Sequence, residues 1–85
     1  MKKKSIRFES GDLLIHSRKE SQDQDIYIIL DRFSIPVENE KILRHFWHLF
    51  DTTQQKRVSM YEKKMRHEVK KNPDQWRLVK KSRVP

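Results

Sequence analysis

The sequence predicts a mainly β fold with one short helix, and three observations carry that prediction. Apolar residues come in runs of three to five, as at 13–15 and 26–30, too short for amphipathic helices. β-Branched and aromatic residues dominate those runs, and such side chains suit a pleated surface. Only from Tyr61 onward does the spacing lengthen, with Tyr61, Met65 and Val69 four residues apart.

Ser10, Gly11 and Asp12 read as a turn, because glycine accepts positive φ and an aspartate side chain bonds nearby backbone. Residues 13–16 follow as a first strand. The nearly all-polar segment 17–25 reads as a loop, and 26–30 as a second, buried strand able to pair with the first. Residues 33–39 read as a loop, since Pro36 disfavours helix at Ile35.

Residues 40–51 fit two periods. As a helix, Ile42, Leu43, Phe46, Leu49 and Phe50 share one face, which gives an α+β alternative for the chain. As a strand, His45, Trp47 and Leu49 alternate with Phe46, His48 and Phe50. The aromatic content and the polar turn at 52–56 favour the strand. The next run, 57–61, alternates too, with Val58 and Met60 on one side, so the pair reads as a hairpin. A helix of about ten residues follows, with Tyr61, Met65 and Val69 on its inner side and Asn72-Pro73 ending it. Trp76 and Leu78 alternate in a last short strand over 75–80. The whole chain, 1–85, is expected to form one domain, frayed at 1–5 and 82–85.

Four strands, a short helix and a final strand form an order similar to that of small SH3-like five-stranded barrels. The Gly11-Asp12-Leu13 entry also resembles the start of Tudor-like and KOW-like domains. KOW-type motifs use several glycines, whereas this chain has one. The resemblance implies a barrel and leaves function open, because one superfold hosts many functions. The compact, lysine-rich, cysteine-free character is also similar to that of many small bacteriophage proteins.

Charged residues (38%) outnumber apolar ones (34%), so a thin core with a highly charged surface is expected. Four Phe, two Trp and two Tyr argue against disorder. Without cysteine there is neither a disulfide nor a thiolate metal site, and nothing points to secretion. Lys2, Lys3 and Lys4 imitate the start of a signal peptide, but Glu9, Ser10, Gly11 and Asp12 interrupt the apolar stretch that should follow. No run approaches the length of a membrane span, so the cytoplasm is the expected compartment.

The charge is unevenly placed. Residues 1–7 carry four bases and no acid, residues 8–55 five bases and nine acids, and residues 56–85 eleven bases and three acids. The net values are +4, −4 and +8, and the whole chain carries +8. Such asymmetry points to a basic face directed at a polyanion or an acidic protein surface.

The candidate binding residues are Arg57, Lys63, Lys64, Lys70, Lys71, Arg77, Lys80 and Lys81, as phosphate contacts, with Trp76 as a ring that could stack on an unpaired base, although core packing is the first expectation for that side chain. Catalysis has no support: there is no cysteine nucleophile, no serine in a nucleophile-elbow pattern and no phosphate-cradling glycine loop. His45, His48 and Asp51 are spaced by three and would share a face only on a helix, so no metal site is expected, nor any cofactor or small-molecule substrate. The expected function is non-enzymatic nucleic-acid binding through a cationic C-terminal helix and strand. The alternative is a regulatory adaptor or inhibitor docking on an acidic surface of a larger machine such as RNA polymerase.

Overall fold

The computed structural model describes residues 6–20, 22–39 and 41–81. The expected frayed ends, 1–5 and 82–85, lie outside the described residues. Five strands and one helix follow in the order β1 (Leu13–Ser17), β2 (Gln24–Pro36), β3 (Leu43–Asp51), β4 (Lys56–Tyr61), α1 (Glu62–Lys71) and β5 (Trp76–Val79). They form one antiparallel sheet in the order β4-β3-β2-β1-β5. The fold is therefore mainly β with a single helix among the described residues. The sheet is open, with β4 and β5 at its two edges.

The strand period of 40–51 prevails over the helical one. Trp47, Leu49 and Asp51 are buried while Phe46, His48 and Phe50 are half-buried, which is the two-residue alternation of a strand. A turn over 52–55 closes the hairpin, with Gln55 at φ 53°. Asp51 fixes that turn by accepting bonds from Thr53 N (3.0 Å) and Gln54 N (3.2 Å).

The expected loop at 33–39 is overturned as far as Pro36, since β2 runs on through Ile35 and Pro36. Ile29 still exchanges backbone bonds with Gly11 and Asp12 just before β1, and beyond it the strand pairs with β3 alone. Pro36, at the strand end, removes no bond that a second neighbour needs. The bias at Ile35 that opposes helix favours extended chain equally. A register shift between Ile29 and Asp31 places Leu30 in a bulge where the strand leaves β1 behind.

The core lies on one face of the sheet. Leu14, Ile29, Leu49 and Met65 are fully buried, joined by Phe8 and Trp47, with Val69, Trp76 and Leu78 packed around them. Met65 and Val69 turn the helix's apolar stripe onto this face. Tyr61 does not belong to that stripe as expected. It ends β4 and caps the helix in extended conformation, with its ring 5.3 Å from Phe46.

Two carboxylates, one buried and one nearly so, pin the edges of this core. Asp12, fully buried, accepts from Glu9 N (2.9 Å), Lys81 N (3.0 Å) and the Lys80 ammonium. Gly11 reaches φ 96° beside it, a conformation that favours glycine. Glu62, in the first turn of α1, accepts from Trp47 Nε1 (2.8 Å) and from Arg32 Nε (2.8 Å) and Nη2 (3.2 Å). It thus ties the helix start to β2 and β3, and its charge suits the positive end of the helix dipole.

Candidate nucleic-acid interface

The expected site residues fall into three groups. The first lies on α1. Lys63, Lys64, Lys70 and Lys71 are exposed along it, with Arg66 and His67 beside them, while Met65 and Val69 face the sheet. No ion pair among the described residues engages those four lysines. The helix carries five bases against Glu62 and Glu68, and both acids are engaged: Glu62 as above, Glu68 by Asn72 Nδ2 at 3.2 Å. The cationic side of α1 therefore faces solvent with little local neutralisation.

The second group is Lys80 and Lys81, which are exposed but engaged within the chain. The Lys80 ammonium meets Asp12, Glu9 Oε1 (3.0 Å) and the Arg7 carbonyl (2.8 Å). Lys81 donates its backbone N–H to Asp12 and its ammonium to the Ser10 carbonyl at 2.9 Å. Burial pushes the Asp12 carboxyl up, but the bonds from Lys80, Lys81 and Glu9 and the Lys80 charge outweigh it, leaving the carboxyl below its ordinary value. Desolvation lowers the Lys80 ammonium, whereas its bonds to Asp12 and Glu9 raise it, with a net rise. These cations close the turn at 10–12 against the end of β5.

Arg57, Arg77 and Trp76 make up the third group, and the pleat divides them. Trp76 and Leu78 point to the core face, so Arg77 between them points to the other. The Trp76 ring stacks on His16 at 4.2 Å with planes 24° apart, and it packs against the core. Arg57 lies opposite Phe50, on the same face as Arg77. Arg57 and Arg77 thus lie on the face of the sheet opposite the one on which α1 packs.

That second face holds residues the sequence reading passed over. Phe33, Phe46, His48 and Tyr61 form a continuous set of rings across β2, β3 and β4. Phe33 stacks on His48 at 4.2 Å and on Phe46 at 5.4 Å, and Phe46 tilts against Tyr61 at 5.3 Å. Arg44 holds its guanidinium 6.0 Å from the Tyr61 ring centroid. The signal was the alternation of Phe46, His48 and Phe50, but alternation alone does not say which side a helix covers.

The histidines of β3 are engaged separately. His45 meets Ser34 Oγ at 2.7 Å and His48 meets Ser59 Oγ at 3.3 Å, on opposite faces of the strand. Glu62 is a partly buried acid with a structural part: desolvation raises it, but bonds from Arg32 and Trp47 and the charges of Arg32 and Arg66 bring it below its ordinary value. No group of three metal-ligating side chains occurs among the described residues. No helix among them is long and apolar enough to cross a membrane.

No family model, no curated protein and no solved structure matches this chain.

Proposed function

We propose that this chain is a non-enzymatic, cytoplasmic nucleic-acid-binding module. The observation that carries the reading is the sorting of charge between inside and outside. Asp12, Asp25 and Asp51 are buried and Glu62 has a side chain only 12% exposed, so these carboxylates are engaged within the fold. The lysines of α1 point outward without ion-pair partners among the described residues. A surface so arranged attracts phosphates and gains affinity by releasing their counterions. The strand order, with a helix between β4 and β5, supports reading the sheet as a small SH3-like barrel that has stayed open. Electrophoretic mobility shift at low salt tests the function. Binding by wild type, and its loss on reversing Lys63, Lys64, Lys70 and Lys71 to Glu, is the expected result. No shift with DNA or RNA refutes it.

One observation favours a second reading, an adaptor or inhibitor docking on an acidic protein surface such as that of RNA polymerase. The β2–β3 hairpin tip exposes Ile35 (47%), Ile42 (54%) and Leu43 (56%), an apolar knob that phosphate contacts would not use. A pull-down from nuclease-treated lysate separates the two. One stoichiometric protein favours the adaptor, and loss of every partner after nuclease favours the nucleic-acid module.

A further inference from the structure

The core side of the sheet is covered by α1 and by the segment carrying Phe8. The other side carries a set of aromatic rings that takes no part in the core cluster. A chain this polar, with eight aromatic residues of the Phe, Trp and Tyr types, holds three of them (Phe33, Phe46 and Tyr61) in that single half-buried stripe, with His48 as a fourth ring. A contiguous apolar patch on one face of a small domain marks a contact surface.

The charges around the stripe identify the partner. Strand pairing places Arg44, Arg57 and Arg77 on this face, all exposed, with Asp31 as the one acid among the described residues there. Arg44 and Tyr61 also border a shallow depression that continues to Lys63 and Arg66 on α1, with Glu62, already bonded to Arg32 and Trp47, in its lining. The ring stripe and the cationic helix therefore meet at the β4–α1 junction. A ligand crossing that junction needs flat unsaturated groups for the rings and regularly spaced negative charges for the guanidinium and ammonium groups. Single-stranded nucleic acid has both, whereas a duplex hides its base faces in its own stack.

We infer that the nucleic acid is single-stranded, with unpaired bases stacked on the ring stripe at Phe46, His48 and Tyr61 and phosphates held by Arg44, Arg57 and Lys63. The inference rests on the nucleic-acid reading and adds the substrate class and the face that reads it. Stacking on a ring tolerates any base, so affinity is expected to be broad in sequence.

The test uses fluorescence anisotropy of the full chain with labelled oligonucleotides of about fifteen nucleotides: a deoxy strand, the ribo strand of the same sequence, and the deoxy duplex. Single strands are expected to bind about tenfold tighter than the duplex at equal salt, and the deoxy and ribo arms tell which sugar is preferred. The double variant Phe46→Leu/Tyr61→Leu keeps apolar volume but removes two π-faces. It is expected to lose about tenfold or more toward the preferred single strand, with duplex binding unchanged. A wild-type measurement guards against misfolding of the variant: photocrosslinking from a halogenated pyrimidine strand should mark residues between 44 and 61. If duplex binds as tightly as single strand, or adducts fall only within 62–71, the helix acts alone: the inference fails and the nucleic-acid reading stands. If no oligonucleotide binds at about 50 mM salt, both fail, including the case in which the stripe receives a protein.

Discussion

Replacing Asp12 by Ala should be among the most damaging single changes outside the apolar core. The side chain is fully buried and accepts three bonds, from Glu9 N at 2.9 Å, Lys81 N at 3.0 Å and the Lys80 ammonium. Truncation does not strand the Lys80 charge, because Glu9 Oε1 at 3.0 Å and the Arg7 carbonyl at 2.8 Å remain. It does remove the carboxylate that two backbone N–H groups, those of Glu9 and Lys81, bond to. A buried unsatisfied donor costs about 1–3 kcal/mol, and Lys81 is exposed enough for water to replace part of its loss. The sum is about 2–3 kcal/mol. For a domain of this size that corresponds to a fall in Tm of roughly 8–24 °C, read by far-ultraviolet circular dichroism. Asp12→Asn keeps an acceptor and should lose about half as much. A fall of less than about 3 °C for Asp12→Ala would refute the view that this carboxylate joins the 10–12 turn to the end of β5.

Other expectations follow from the same packing. Met65→Ala opens a hole beneath the helix at a side chain with no exposure, and urea unfolding should show a loss of about 2–5 kcal/mol. Glu62→Ala leaves Trp47 Nε1 without its acceptor; since Arg32 is 46% exposed, its ion pair is discounted and the loss in the same assay should be about 1–2 kcal/mol, mostly recovered by Glu62→Gln. Asp12 and Glu62 both have folded-state values below their ordinary ones, so their stabilisation is complete above the unfolded-state values and is lost as pH falls through the folded ones. Thermal melts should therefore hold steady from neutral pH down to about 5 and decline below about 4.

Local patterns revealed most of the fold. Gly11 beside Asp12 announced a turn, and the polar stretch after Asp51 announced a hairpin, because both turns are made by residues close in sequence. Asn72-Pro73 ended the helix for the same reason. The far half of β2 was hidden, since its extension depends on pairing with β3, a contact no local window contains. The interface was less legible. Sequence position put Lys80 and Lys81 with the other cations, yet a buried aspartate 68 residues away takes hold of Lys80. Trp76 packs against the core as its alternation with Leu78 implies, and the pleat sends Arg77 beside it to the opposite face. Phe33, Phe46 and Tyr61 come together from three strands, so their stripe exists only once register is set.

The measurement that bears most directly on the central claim is the affinity of the full chain for a labelled single strand across a salt series. Measurable binding is expected at about 50 mM salt, with log affinity falling linearly against log salt by about 0.7 for each phosphate neutralised. Reversal of Lys63 and Lys64 should flatten that slope by between one and two. No binding at the lowest salt, or binding indifferent to salt, would contradict the claim.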